Sequence, residues 1–157
     1  MIRRFLLFAS IVLLFLAGGA QGQTKRTIII DQDARGPATT DQQSMLALLN
    51  SPDVDALGIT IVSGDQWRDE EVAHTLRMLE LTGHTDVKVY PGAIFPLINS
   101  KEETTRWSKL YGAVQYQGAW TKNGDSKFRT GPHGPYEVPP LAEGNPTIKA
   151  QEEDEEI

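Results

Sequence analysis

Four aspartates follow two apolar runs of the sequence, and their carboxylates are candidates for metal binding or catalysis. Asp31 and Asp33 close the run that begins at residue 26, Asp41 follows a short loop later, and Asp65 follows the second run. Because the carboxyl ends of parallel strands meet at one edge of a sheet, we expect these carboxylates to lie close together. Such carboxylates repel one another unless a cation lies among them, and oxygen ligands without His or Cys suit Ca²⁺ or Mg²⁺.

The same aspartates also have a simpler interpretation. Asp41 could serve only as a helix N-cap, and Asp31 and Asp33 could be only the polar end of a strand. The spacing of the aspartates alone leaves both interpretations open.

The elements that must position these aspartates alternate between strands and helices. Apolar, β-branched runs predict strands at residues 26–31, 56–62 and 87–90. The run at 26–31 is typical of strands that are buried on both faces of a parallel sheet. Apolar residues at helical spacing predict helices at 41–50 and 69–81, with a short third helix at 101–110. This order predicts an α/β fold with a parallel, doubly wound, Rossmann-like sheet.

The chain divides into four stretches with different composition. They are a leader at residues 1–22, an α/β half-domain at 23–98, an irregular loop-rich extension at 99–150 and an acidic tail at 151–157. Residues 131–146 contain eight Gly or Pro, which favours an irregular loop. Three strands and an open sheet edge suggest the first half of a larger fold, so we expect a truncated form.

The leader has the features of a secretory signal peptide. Arg3 and Arg4 precede an apolar run at residues 5–17, and small residues follow it up to Gly22. The run is shorter than the roughly 18 to 20 residues that span a bilayer. We therefore expect cleavage near Gly22, a secreted or periplasmic chain and no stable membrane anchor.

Composition and charge limit the classes of partner that the chain is expected to bind. The chain has 15 Lys and Arg against 21 Asp and Glu, a formal net charge of −6 and no cysteine. Net negative charge disfavours binding to nucleic acid, and the lack of cysteine excludes disulfides and thiolate chemistry. A small-molecule partner is expected, and an oligomer is possible.

Several of these features come in one order that resembles a known family. An apolar strand ending in D-Q-D, a loop to T-T-D before an apolar helix, then S-P and G-I-T-I-V-S-G-D follow one another between residues 27 and 65. This series is similar to the amino-terminal part of the inosine-uridine-preferring nucleoside hydrolases, whose pattern reads D-x-D-P-G-x-D-D, S-P and G-I-T-x-V-x-G-N. The resemblance covers about residues 27–97.

The resemblance implies an N-glycosidase that cleaves ribonucleosides with a Ca²⁺-activated water. It implies that Asp33 is the general base and a metal ligand, that Asp41 is a second ligand, and that Asp31 is the first aspartate of the motif, buried beside Asp33. Thr40 stands where the family has an aspartate that contacts ribose and metal. Asp65 replaces the asparagine that orients the substrate.

Two further features bear on the substrate. The loop from Asp33 to Asp41 is three residues longer than the family pattern, with Arg35, Gly36 and Pro37 inserted. Trp67 follows the second strand and could stack on a base or sugar, although a tryptophan there more often packs in the protein. The histidines lack metal-ligand spacing, and we expect His74 at the surface or an interface.

Two other functions use the same residues. In a phosphatase of the haloacid dehalogenase type, Asp31 would be the nucleophile, Asp33 the acid and Ser63 a phosphate ligand, with Mg²⁺; Arg35 departs from that pattern. A non-catalytic sugar-binding or nucleoside-binding remnant is also compatible. For the hydrolase, we expect the chain alone to be inactive, because the family's remaining ligands come from later strands.

Overall fold

A computed structural model describes residues 24–37, 39–113, 116–121 and 133–152 of the chain. Its elements, in chain order, are β1 (Arg26–Gln32), α1 (Thr40–Leu49), β2 (Val54–Ile61), α2 (Arg68–Thr82), β3 (Lys88–Pro91) and α3 (Lys101–Tyr111), followed by a 3₁₀ turn (Gly118–Trp120). The predicted signal peptide and most of the predicted acidic tail lie outside the described residues.

The three strands form one parallel sheet in the order β1-β2-β3. This confirms the predicted α/β class with a parallel, Rossmann-like sheet. The predicted elements all occur, with ends displaced by one or two residues. α2 ends at Thr82, and the C-cap residue Gly83 has a φ of +78°, the left-handed conformation that glycine adopts readily.

The core lies between one face of this sheet and the two crossover helices. Ile30, Ile59 and Val89 are neighbours in the strand register and are all buried. From the helices they receive side chains that are also buried, namely Met45 of α1 and Val72, Leu76 and Leu79 of α2. Removing each such side chain from water contributes roughly 1.5 to 3 kcal/mol to the free energy of folding.

The opposite face of the sheet differs from expectation. β1 was predicted to be buried on both faces, but Ile29 is 52% exposed and Leu57 of β2 is 51% exposed. That prediction was wrong for the described part of the chain, because both crossovers run in the same direction along the sheet. Two right-handed connections of that kind place both helices on one face.

The start of α1 also differs from expectation. The N-cap residue is Thr39, which makes no side-chain cap hydrogen bond, so the interpretation of Asp41 as only an N-cap was wrong. The Thr39 hydroxyl donates instead to the Gly36 carbonyl oxygen at 2.7 Å. Asp41 lies in the first helical turn, where a carboxylate is favoured by the helix dipole and remains available for the site.

The carboxyl-terminal segment, residues 133–152, contains no helix or strand, as its glycine and proline content predicts. The segment crosses α2. Arg77 of α2 donates through Nε to the Glu143 carbonyl oxygen at 2.9 Å. Farther along, the Gln151 amide donates to the Val89 carbonyl oxygen at 2.8 Å, so the segment reaches the sheet edge beside β3. This segment therefore closes over a face of α2 that would otherwise meet water.

Among the described helices, none combines the length and the apolar character that crossing a membrane requires.

Leu79 provides a direct test of this core. Its side chain is fully buried between α2 and the sheet, so Leu79→Ala is expected to lower the free energy of unfolding by about 2 to 5 kcal/mol. Urea unfolding followed by circular dichroism measures the change. The matched control is Leu81→Ala on the same helix, because Leu81 is 61% exposed. Equal losses from both substitutions would show that α2 does not bury the face described here.

Candidate active site

Asp33 is the first residue after β1, and its carboxylate lies directly against the backbone of Gly64. A Cβ atom built on Gly64 would lie 2.0 Å from Asp33 Oδ2, so only glycine allows this approach. The contact joins the end of β1 to the loop after β2. It places the predicted base at the carboxyl edge of the sheet, as the sequence indicated.

Asp33 shares this edge with Asp41 and Asp65. Burial raises the pKa of Asp33 above its ordinary value, and the charges of Asp65 and Asp41 raise it further. Backbone amide hydrogen bonds to the carboxylate oppose this increase in the Asp33 pKa. Asp41 and Asp65 are therefore near enough for their charges to act on Asp33 at this edge of the sheet.

The Asp31 side chain does not occupy the expected buried position beside Asp33. The resemblance implied that Asp31 is buried beside Asp33, but Asp31 is exposed and accepts a hydrogen bond from the Thr60 hydroxyl at 2.6 Å. The expectation of burial was wrong. Asp31 lies opposite Thr60 in the strand register and on the same open face as Ile29, since alternate residues of a strand share a face.

A segment far along the chain holds Asp65 in place. The Tyr116 hydroxyl donates to Asp65 Oδ1 at 2.9 Å. Beside it, the Ala119 amide donates to the Gly64 carbonyl oxygen at 2.8 Å, and Gly118 approaches that same oxygen closely at a φ of +55°. The sequence gives no signal for this contact, because no pattern links Tyr116 to a residue 51 positions earlier.

Asp33, Asp41 and Asp65 form the carboxylate rim at this edge of the sheet. A fourth acid, Glu71 of α2, lies below the rim, and the sequence analysis did not identify it as a site residue. The Glu71 side chain is fully buried, and its Oε1 accepts from the Gln66 amide at 2.6 Å. Its Oε2 has no hydrogen-bond partner among the described residues. Burial, then the charges of Asp33, Asp65 and Glu70, raise the pKa of Glu71 to about 9. Acids are common in a first helical turn, so the sequence offered an ordinary explanation for Glu71.

The two remaining predicted site residues flank the carboxylates. Thr40 is exposed at the first turn of α1. Trp67 is only 7% exposed and packs edge-to-face on Phe95, with ring centroids 5.8 Å apart. Trp67 also lines a cavity of about 260 Å³ together with Gly64 and Trp120, so packing and contact with a ligand are both compatible with its position.

The chain matches the family described as inosine-uridine preferring nucleoside hydrolase over residues 28–146. This chain belongs to that family. The match includes all of the described rim, from Asp33 through Asp65 and Glu71 to the 3₁₀ turn at Gly118–Trp120.

Similar proteins come from fungi, plants and bacteria. An uncharacterised protein of Schizosaccharomyces pombe is 34% identical over 92 residues, which are 59% of this chain and 28% of that protein. A probable uridine nucleosidase 2 of Arabidopsis thaliana is 33% identical over 75 residues, 48% of this chain and 22% of the relative. A pyrimidine-specific ribonucleoside hydrolase of Photobacterium profundum is 36% identical over 72 residues, 46% of this chain and 22% of the relative. The chain thus spans 22 to 28% of the length of these three relatives.

Nucleoside hydrolases commonly bind a metal ion. The rim fits a hard cation in kind, because its donors are carboxylate oxygens and one buried oxygen of Glu71 lacks a partner. It fits less well in number: within the described residues, no three His, Cys, Asp or Glu side chains are gathered closely enough to hold a metal ion.

Glu71 makes stability depend on pH. Its pKa is about 9 in the folded chain against an ordinary 4.5, so the contribution of protonated Glu71 is complete below about pH 4.5 and is lost as pH rises towards 9. Glu71→Gln stays neutral throughout. The variant should therefore gain stability relative to wild type with rising pH, by up to about 1.4 kcal/mol per pH unit.

Urea unfolding at pH 5 and pH 8, in the presence of a chelator, measures this gain. Glu102→Gln on the exposed surface of α3 is the matched control. A difference between Glu71→Gln and wild type that is the same at both pH values would contradict a buried, protonated Glu71.

Proposed function

We propose that this chain carries the water-activating part of a hydrolase that cleaves the N-glycosidic bond of ribonucleosides or related ribosides. The observation that supports it most is the placement of Asp33, which is half-buried against Gly64 and faces Asp41 and Asp65 at the carboxyl edge of a parallel sheet. Membership of the nucleoside hydrolase family supports the same chemistry.

The rim suits the charge changes of glycoside hydrolysis. Cleavage passes through an oxocarbenium-like state, so negative charge beside the ribose stabilises it. Asp33 is proposed to accept a proton from the attacking water, since a raised pKa makes a carboxylate a better base. Asp41 and Asp65 add negative charge beside the reacting carbon.

We propose Ca²⁺ as the cofactor, with Asp33 and Asp41 as its first ligands and Asp31 as a further ligand implied by the family pattern. When bound, Ca²⁺ would supply the positive charge that makes a coordinated water easier to deprotonate. Asp31 would have to give up its hydrogen bond from Thr60 to contribute.

The substrate contacts are proposed to come from three residues. Asp65 holds the Tyr116 hydroxyl through one oxygen, and its carboxylate can accept further hydrogen bonds from ribose hydroxyls. Thr40 offers an exposed hydroxyl beside Asp41, and Trp67 offers an indole edge in the cavity beside Gly64. The names of the relatives suggest uridine as the first riboside to assay.

The phosphatase alternative finds less support. In that class Ser63 would hold phosphate, but the Ser63 hydroxyl accepts a hydrogen bond from the Arg68 amide at 2.8 Å and fixes the start of α2. The proposed nucleophile, Asp31, lies exposed on the sheet face and not among the other acids. Both observations favour the glycosidase.

We also propose that the chain is exported, with cleavage between Gly22 and Gln23, on the strength of the arginines and the apolar run at its start. Sequencing the amino terminus of the exported protein should give a chain that starts at or near Gln23. Retention of intact chain in the cytoplasm would contradict export.

Calcium binding is expected to be weak. The described carboxylates provide two or three ligands, whereas Ca²⁺ prefers six to eight oxygens. Calorimetric titration should give weak binding to wild type and still weaker binding to Asp33→Asn and Asp41→Asn. Asp55→Asn, an exposed position on β2, is the control. Equal binding by all four proteins would show that the rim does not hold the ion.

Activity of the chain alone is expected to be very low. Catalysis needs the substrate held in near-attack geometry, and an incomplete set of ligands loses much of that positioning. The assay follows reducing ribose released from uridine, inosine and adenosine with Ca²⁺, beside Asp33→Ala. Any release should disappear in Asp33→Ala. Robust release that depends on Asp33 would contradict the incomplete site while supporting the reaction.

A parallel assay with p-nitrophenyl phosphate and Mg²⁺ tests the alternative. Phosphate release that is lost in Asp31→Ala would support the phosphatase and contradict the glycosidase.

A further inference from the structure

Apolar side chains on α3 face solvent. None of the eleven residues of this helix, all of them described, is buried. Trp107, Leu110 and Tyr111 are exposed, and so are Leu97 and Ile98 just before the helix begins. We call Trp107, Leu110 and Tyr111 the α3 patch. Exposed apolar residues that are grouped, and not scattered singly, are typical of interaction surfaces.

The residues of the α3 patch lie on one side of the helix. Leu110 and Tyr111 follow Trp107 by three and four positions, which places them on the same helical face. The rings of Trp107 and Tyr111 contact each other, with centroids 5.1 Å apart. Beside them the surface is concave, with a groove of about 400 Å³ lined by Asn99, Glu103, Thr104 and Trp107. The same surface therefore has projecting apolar side chains and a recess, as an interface between identical copies requires.

The helix forms from local signals and not from packing. The side chain of the N-cap residue Ser100 accepts a hydrogen bond from the Glu103 amide at 3.1 Å. Arg106 Nη1 lies 2.8 Å from Glu103 Oε1. An isolated helix of this length is only marginally stable in water. Burial of the α3 patch by a partner would therefore stabilise the helix.

The charges of α3 favour a second copy of this chain as the partner. Glu102 and Glu103 lie in the first turn, whereas Lys109 lies in the last turn and Arg106 shortly before it. Two such helices that pack antiparallel bring the acidic start of each beside the basic end of the other. Parallel packing would bring like charges together, which is unfavourable.

Glu103 and Arg106 are placed to pair across such an interface. Each lies four positions before an apolar residue of the α3 patch, Trp107 and Leu110 respectively, and so borders the same helical face. Across an antiparallel pair of helices, Glu103 of each copy lies near Arg106 of the other.

A lipid surface suits the α3 patch less well. Anionic headgroups attract amphipathic helices whose polar face is rich in Lys and Arg. Here the first turn carries two glutamates, and the chain has a formal net charge of −6. Both features oppose binding to an anionic membrane.

We propose that the α3 patch is the interface of a homodimer, in which α3 packs antiparallel against α3 of a second copy. Trp107, Leu110 and Tyr111 of both copies are buried there, and Glu103 of each copy pairs with Arg106 of the other. Leu97 and Ile98 at the start of one helix lie near the end of the other. The interface uses none of the rim carboxylates, so it does not depend on the proposed function.

Sedimentation equilibrium of the full chain over a range of concentrations tests the interface. Wild type should show a monomer–dimer equilibrium, and the double variant Trp107→Ala, Leu110→Ala should raise the dimer dissociation constant about tenfold or more. Leu81→Ala, an exposed position on α2, is the matched control and should dimerise as wild type does. Every variant keeps residues 1–22, so differences between them arise from the substitutions.

A folding defect is checked separately. Trp107 and Leu110 lie outside the buried core, so the double variant should keep the urea unfolding curve of the wild-type monomer at low protein concentration.

A charge exchange tests the antiparallel arrangement. Glu103→Lys leaves only basic side chains beside the α3 patch, and Arg106→Glu leaves only acidic ones. Each variant alone should dimerise about threefold or more weakly than wild type, because both pairs across the interface become repulsive. An equal mixture of the two variants should form heterodimers with an affinity near that of wild type.

Other outcomes overturn the proposal. A wild-type chain that stays monomeric, or a dimer that the double variant leaves unchanged, would show that the α3 patch is not the interface. Charge variants that dimerise equally well alone and mixed would contradict antiparallel pairing. A monomeric wild type that co-sediments with vesicles of phosphatidylcholine and phosphatidylglycerol, and loses this binding in the double variant, would identify a membrane-binding surface instead.

Discussion

Mutual repulsion among carboxylates at the ends of β1 and β2 is the constraint on which the arrangement of this chain depends. Asp65 lies near enough to Asp33 to raise its pKa, and each of the two residues is contacted by another part of the chain. Glycine at position 64 lets the backbone approach the Asp33 carboxylate, and Tyr116 donates to Asp65. Below them, burial raises the pKa of Glu71 to about 9, so that Glu71 adds no full charge at neutral pH.

The carboxyl-terminal segment and the inserted loop form a second set of contacts around the same helix. The His74 ring lies against Gly36 of the loop and pairs through Nδ1 with Glu143 of the segment. Farther along α2, Glu80 accepts from Arg77 and from Thr147, and the Thr147 hydroxyl keeps the pKa of Glu80 below its ordinary value. α2 therefore presents Glu71 towards the rim and Glu70 towards the cavity that Gly36, His74 and Glu143 also line, although Glu70 and Glu71 are adjacent in the chain.

The sequence was sufficient for the fold because its signals are periodic and local. Alternating apolar strands and helices predicted the parallel sheet, and three of the four predicted aspartates lie together at its edge. Side-chain direction was harder to predict: Asp31 precedes the end of β1, so it follows the alternation of the strand onto the open face. His74 was expected at the surface or an interface, and the residue with which it pairs, Glu143, comes 69 positions later. Tyr116 and Glu71 likewise act through contacts between distant parts of the chain, which no local spacing reveals.

Asp33 and Asp41 are proposed to form the first part of a cation site at the carboxyl edge of the sheet. Its most direct test is a crystal structure of the full chain soaked in a high concentration of CaCl₂, with anomalous scattering used to locate the ion. We expect a calcium peak within coordination distance of both Asp33 and Asp41, about 2.3 to 2.6 Å from their oxygens. A well-ordered rim without such a peak, or calcium bound only elsewhere, would contradict it.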